Sequence, residues 1–181
     1  MRKHLESGFT LIELLIVVAI IGIIAAIAIP GLLRARMSAN EASAIGTMRA
    51  LVSAQQTYFS SCGNGYYAGT LPILGSAPVG SVPFVSPDLS AAVSVDKSGY
   101  RVTMAQGSEA IQAPVNGCNP AGVAAALYSS YYATADPLTV NVTGSRFFYT
   151  NALGTVYQAN AALFGGATVG NAAPGVGTPI Q

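Results

Sequence analysis

A chain of 181 residues with 51% hydrophobic side chains holds about one domain's worth of material and can build a modest core. Charged residues make up 8% of it, against about 25% in ordinary soluble domains, with Ala, Gly, Ser and Thr in their place. The formal charge of +1 speaks against a broad basic field for nucleic acid and against an acidic one for cations.

The uncharged stretch Leu14 to Leu33, LLIVVAIIGIIAAIAIPGLL, has twenty residues. At about 1.5 Å per residue it is long enough to cross a hydrocarbon core of about 30 Å as a helix. A plain signal anchor, or a signal peptide that is later removed, is the simplest reading of such a segment. Hydrophobic regions of signal peptides usually stop at about 7 to 15 residues, whereas this one runs on into a helical pattern. Arg2 and Lys3 precede it and place the N-terminus in the cytoplasm; Arg34 and Arg36 on the far side pull the other way.

Glu13 is the residue that anchoring alone leaves unexplained. An acidic side chain at the centre of a membrane helix costs about 2.5 to 3.5 kcal/mol, and less near the interface. Glu13 therefore either sits at headgroup depth or meets a cation. Further along, Gly22, Ala26 and the nearby Ala25 and Ala28 give the small-residue spacing through which helices approach closely. Pro30 lacks an N–H to give to the carbonyl of Ala26, which weakens the helix there.

The segment Gly8 to Pro30, GFTLIELLIVVAIIGIIAAIAIP, resembles the class III prepilin signal of type IV pilins and pseudopilins, most like that of a bacterial type IVa-like major pilin. The resemblance implies a leader, residues 1–8, removed by a prepilin peptidase between Gly8 and Phe9, with N-methylation of Phe9. Cleavage would take away Arg2, Lys3 and Glu6 and leave six basic and six acidic side chains. The cut precedes the apolar run, so the anchor stays in the mature chain. The resemblance also assigns assembly to Phe9 and Glu13, with Glu13 paired to the N-terminal amine of a neighbouring subunit in a homopolymer. Gly22, Ala26 and Pro30 would serve helix packing and flexibility, since the corresponding segment of related pili melts in the filament. It further implies a precursor in the inner membrane with a periplasmic head, an inner-membrane assembly platform as partner, and an extracellular filament as the destination.

Past Leu33, Arg34, Arg36 and Glu41 bring charge back, and Met37, Ile45, Met48, Leu51, Val52, Tyr58 and Phe59 fall in one stripe at about 100° per residue, interrupted by Gln55. One long helix from Phe9 to Ser61 is expected: 9–33 hydrophobic and transmembrane, 34–61 its amphipathic continuation. Cys62, Gly63, Asn64 and Gly65 suit its C-terminus. A β-rich head over 62–164 follows. Tyr66 to Pro87 reads as a loop with short extended pieces. Strands are expected at Ala91–Val95, Tyr100–Ala105, Leu138–Thr143, Arg146–Thr150 and Thr155–Gln158, with turns at Asp96–Gly99 and Asn151–Gly154. Gly122 to Tyr132 is either a short helix or an Ala-rich strand. The tail, 165–181, with five glycines and two prolines, reads as mobile or draped over the surface. The fold class is α+β, a long helix packed by its second half on an antiparallel sheet, as in the pilin head. The hairpin SRFFYTNALGTVYQ resembles the closing hairpin of bacterial pilins.

The two cysteines, Cys62 and Cys118, are expected to form a disulfide in an oxidising compartment. This spacing departs from the usual pilin bridge near the C-terminus. His4, the one histidine, lies in the leader, and Asp88, Asp96, Glu109 and Asp136 stand singly without Ca²⁺-loop spacing. No catalytic group, metal or cofactor is therefore expected. The acidic calcium site common in major pseudopilins has no counterpart in the glycine-rich C-terminus. No aromatic residue lies between Phe9 and Tyr58, which excludes a continuous aromatic path along the helix. These observations converge on a structural subunit, a major pilin used in adhesion, motility or DNA uptake, with a surface or DNA as ligand. The alternative is a pseudopilin of a type II secretion system, or a minor pilin that binds at a filament tip.

Overall fold

The computed structural model of the chain describes residues 8–119, 126–162 and 170–180. Residues 1–7 of the expected leader, residues 122–125 of the Ala-rich stretch, and residues 165–169 and 181 of the tail lie outside that set. The chain divides into two compact units, Met1–Arg36 and Met37–Gln181. In the first, helix α1 (Leu11–Ser61) begins and continues through Pro30. Its side chains up to Leu33 are exposed, apart from the half-buried Ala25.

In the second unit the same helix buries one face: Glu41, Ala44, Thr47, Met48, Leu51, Ala54, Gln55 and Tyr58. Steps of three and four residues keep these positions on one stripe, which meets the sheet. After the helix come β1 (Tyr67–Ala68), α2 (Leu71–Gly75) and α3 (Pro87–Ser90). Helix α2 falls where a loop with extended pieces is expected, and α3 begins at that loop's last residue, Pro87. Each begins with a proline in its first turn, where the missing N–H costs no hydrogen bond.

The remaining strands are β2 (Ser94–Lys97), β3 (Tyr100–Gln106), β4 (Leu127–Tyr128), β5 (Tyr131–Pro137), β6 (Phe147–Asn151), β7 (Val156–Ala159) and β8 (Thr178–Pro179). Six of them form an antiparallel sheet in the order β2-β3-β5-β6-β7-β8, and β1 pairs with β4. The inner face carries Tyr100, Val102, Met104, Ala133, Ala135 and Phe148 against Met48, Leu51 and Tyr58 of the helix in one core. Beneath the opposite face Phe147, Tyr149 and Ala159 form a second cluster, packed with Tyr132, Tyr157 and Val176. Strand β6 is therefore buried throughout.

Register explains the β2–β3 hairpin. Lys97 faces Tyr100, which leaves Ser98 and Gly99 as a two-residue turn at φ 49° and 75°. Positive φ at both positions is the type I′ geometry that follows strand twist, and glycine adopts it without strain. The strand itself is Ser94–Lys97, displaced from the expected Ala91–Val95.

Two further expectations are corrected. Leu138–Thr143 is not a strand but a compact turn, because Asn141 adopts φ 62° and the N–H groups of Val142 and Thr143 both return to the carbonyl of Thr139. The long central strand is instead β5, Tyr131–Pro137. Part of the tail is held to the sheet: β8 pairs with β7, the Ile180 N–H donates to Val156, and Asn151 Nδ2 donates to the carbonyl of Ala172.

Glu41 joins helix to sheet. It is only 7% exposed, and its carboxylate accepts from the Ser145 N–H at 2.8 Å, the Ser145 hydroxyl at 2.9 Å and Arg146 Nε at 2.8 Å. Arg146 Nη1 then donates to Gln158 on β7 at 2.7 Å. Burial pushes the Glu41 carboxyl up, but the Ser145 hydrogen bonds and the Arg146 guanidinium outweigh it and hold its pKa below the ordinary value. A depressed carboxylate pKa means stability that is complete above the unfolded-state pKa, about 4.3, and is lost as pH falls through the folded-state value. Glu41→Ala should cost about 2 kcal/mol at neutral pH, the scale of hydrogen bonds to a charged group. It should also flatten the acid limb of stability against pH; chemical denaturation of the full chain in detergent at neutral and acidic pH checks both.

Candidate functional site

Glu13 sits in the first turn of α1. Its carboxylate Oε2 accepts from the Thr10 N–H at 2.9 Å and from the Thr10 hydroxyl at 2.6 Å, while the Glu13 N–H donates to Thr10 Oγ1 at 3.3 Å. Thr10 and Glu13 thus make a reciprocal capping box, which satisfies N–H groups that have no partner inside the helix. The T-x-x-E spacing that signals it stands in the sequence and was not part of the expected role. Both oxygen contacts fall on Oε2 among the described residues, so Oε1 remains available to another donor.

Gly8 and Phe9 precede the helix, with Phe9 85% exposed. Gly22, Ala26 and Pro30 lie within it. A Cβ placed on Gly22 would meet no atom of the described residues within 4 Å. Nothing among the described residues requires glycine there, although in a helix interior it costs about 1 kcal/mol relative to alanine. Of the expected site residues, Phe9 and Glu13 lie within one turn of each other, whereas Gly22, Ala26 and Pro30 follow along the same apolar helix. That helix is long and apolar enough to cross a membrane.

Cys62 and Cys118 are joined by a disulfide, with Cα atoms 4.9 Å apart. The bridge ties the end of α1 to the middle of the second unit. Beside it Asn119 donates through Nδ2 to the carbonyls of Ile73 and Ser76, at 3.0 and 3.1 Å, and accepts the Tyr58 hydroxyl on Oδ1 at 2.5 Å. Burial pushes the Tyr58 phenol up to about 12, so the hydroxyl stays a donor. Inside the core Gln55, fully buried, donates to the Ala68 carbonyl and accepts the Ala68 N–H, so the interruption in the apolar stripe is a bonded position that holds β1. Sequence reasoning missed both amides, since an Asn or Gln carries no spacing signal for a distant backbone partner. Among the described residues no group of three or more His, Cys, Asp or Glu is placed to hold a metal ion.

The profile of the family described as the prokaryotic N-terminal methylation motif matches residues 3–29. Over 55 residues the chain is 51% identical to the type IV major pilin protein PilA of Myxococcus xanthus, a match covering 30% of this chain and 25% of that protein. It is 52% identical over 52 residues to the type IV wide pilus major component PilA4 of Thermus thermophilus, covering 29% and 40%. Over its N-terminal segment the chain is similar to type IV pilins. A further match reaches the pseudopilin side: the type II secretion system core protein G of Aeromonas hydrophila is 36% identical over 58 residues, covering 32% of this chain and 41% of that protein. The matches span 25% to 41% of these relatives' lengths. No solved structure matches the chain.

The bridge closes a loop with a sequence separation of 56 residues, worth about 4 kcal/mol in the chain-entropy account. Reduction should therefore lower the denaturation midpoint of the head substantially. Cys62→Ser should reproduce the loss without reductant, and thiol titration of the unfolded, unreduced chain should find no free cysteine.

Proposed function

We propose that this chain is the major structural subunit of a type IV pilus, made as an inner-membrane precursor with its head in the periplasm and polymerised into an extracellular filament. A prepilin peptidase removes residues 1–8 between Gly8 and Phe9, and Phe9 is methylated. The observation that carries the reading is the conjunction, in one segment, of the methylation motif over residues 3–29 and an apolar helix that the chain itself leaves uncovered.

The physical argument runs through the apolar side chains. Leu, Ile and Val from Leu11 to Leu33 cannot leave a bilayer for water, so they leave it for an equally apolar surrounding. A bundle of identical helices provides one. Gly22 fits that surrounding, because a residue with no packing role inside its own subunit leaves room for a neighbouring backbone. Cleavage creates an amine at Phe9, and that cation meets the Glu13 carboxylate of a neighbouring subunit through the oxygen the capping box leaves open. The head then faces outward for adhesion, motility or DNA uptake; a structural role needs no catalytic constellation.

A second reading, a pseudopilin of a type II secretion system, is favoured by the similarity to a secretion core protein. Abundance separates them: a major pilin dominates sheared surface filaments, and mass spectrometry of those filaments should find residues 1–8 absent and Phe9 methylated.

Glu13 supplies the finer test. Glu13→Gln keeps an acceptor for the Thr10 N–H and removes the charge, whereas Glu13→Ala removes both. Both variants should be cleaved normally and both should assemble poorly, the lost pair costing about 3 to 5 kcal/mol in an apolar core. Filament yield from Glu13→Gln equal to that of the parent chain would reduce Glu13 to a helix cap.

A further inference from the structure

The turn Leu138–Thr143 exposes three apolar side chains: Leu138 at 44%, Val140 at 48% and Val142 at 62%. Its backbone is nevertheless closed on itself. The N–H of Leu138 donates to Gly99, that of Thr139 to Thr143 Oγ1, that of Asn141 to Gly144, and those of Val142 and Thr143 to Thr139. The Thr143 carbonyl is taken by Asn40 Nδ2 at 2.9 Å. No charged residue occurs between Asp136 and Arg146, and Arg146 is held by Glu41. A turn with five of its six amides bonded, those of Leu138, Thr139, Asn141, Val142 and Thr143, and its apolar side chains outward suits a surrounding poorer in water than bulk solvent, where an unsatisfied backbone group is costly.

What that surrounding is follows from the bond to Asn40. Asn40 stands seven residues beyond Leu33, the last residue of the uncharged stretch. Even fully extended at about 3.5 Å per residue, that chain cannot carry Asn40 more than about 25 Å from the end of the stretch, and as helix it spans about 10 Å. The turn belongs to the end of the second unit where the helix enters it, beside Ser98, whose hydroxyl accepts from that of Ser43 at 3.0 Å. Arg34 and Arg36, in the same short interval, match the phosphate level of a bilayer.

We infer that Leu138, Val140 and Val142 form an apolar foot that rests in the interfacial layer of the membrane while the subunit is anchored there. The inference rests on the membrane-anchored reading and goes beyond it: the head, and not the helix alone, contacts lipid. An interfacial element of this kind buries its apolar face about 5 to 10 Å into the boundary between headgroups and acyl chains. Three side chains give a shallow contact that is released when the subunit leaves the bilayer.

The chain contains no tryptophan, so single insertions report without background. Val142→Trp and Leu138→Trp, at exposed positions that tolerate a larger side chain, are reconstituted as full chains in phosphatidylcholine and phosphatidylglycerol vesicles with brominated acyl chains. Ile23→Trp reports insertion of the apolar stretch. Val79→Trp, 91% exposed, lies on the loop whose Pro78 and Ser81 share a groove with Ser53, Thr57 and Ser61, toward the end of α1 away from Asn40, and reports that part of the head. Circular dichroism and the absence of free thiols confirm folding of each variant.

The expected result is blue-shifted, bromine-quenched emission from Val142→Trp and Leu138→Trp, weaker quenching than for Ile23→Trp, and unquenched emission at the aqueous wavelength from Val79→Trp. Quenching at Ile23 with aqueous emission at both 138 and 142 would overturn the foot while leaving the anchor intact, and would give the apolar turn to a subunit contact. Equal quenching at Val79 would overturn it as well, by showing adsorption of the whole head. Aqueous emission from Ile23→Trp would remove the anchored reading itself.

Discussion

Among the described residues the large apolar side chains from Leu11 to Leu33 are exposed, and that constraint orders everything else. A folded protein ordinarily turns such surface inward against a sheet or another helix. Here the head makes its core without it, using only the stripe from Ala44 to Tyr58. The two requirements are met by one helix with two kinds of surface, one apolar all round and one apolar on a single face. Apolar surface that the described chain leaves uncovered must be covered by something else; on the proposed reading that is first lipid and then copies of itself.

The head answers with polar groups buried at defined points of an otherwise apolar seam. Glu41 and Gln55 both lie on the buried stripe, at positions where a hydrophobic side chain would have packed. Each is hydrogen-bonded there: Glu41 to Ser145 and Arg146, Gln55 to both backbone groups of Ala68 and to Met104 Sδ. A sliding or rotated helix would leave a buried carboxylate and a buried amide unpaired, at several kcal/mol for the charge alone. The seam therefore has one register. The disulfide beside Tyr58 and Asn119 fixes its far end, so the helix is held near its entry by Glu41 and near its exit by Cys62.

How legible this was in the sequence depends on the range of the interaction that decides each element. The long helix and the membrane-length stretch show in composition alone. Tyr100–Gln106 and the hairpin through Asn151–Gly154 show because their alternation and turn residues are local signals. Strand β5, YYATADP, does not show. Alanine, aspartate and proline have low strand propensity, and their place in the sheet comes from being flanked by β3 and β6, where small residues let the helix approach. The sequence LTVNVT has the opposite property, since its alternation of β-branched residues imitates a strand while Asn141 and the Thr139–Thr143 hydroxyl bonds fold it back. The tail reads as mobile or draped over the surface from its glycines, and which of its residues pair is not legible, because β8 needs only two, which no composition argument detects. For the candidate site the same division holds: Glu13 stands out by its cost in an apolar helix, whereas Gln55 and Asn119 are defined by partners many residues away.

Glu13 shows why a conspicuous residue is read incompletely when its cost is considered before its local geometry. Thr10 already compensates part of the charge through two hydrogen bonds, and those bonds exist in the isolated chain. The capping box therefore does not compete with a partner cation in a neighbouring subunit; it holds the carboxylate in place at the helix start with Oε1 free. A carboxylate left to find its own rotamer would lose conformational freedom when the pair forms, and that loss would subtract from the interaction. One already fixed by Thr10 does not. On the proposed reading the cap is a preorganising element for assembly, so Thr10 and Glu13 act as one unit, and removing the hydroxyl of Thr10 weakens the intersubunit pair without touching its charge.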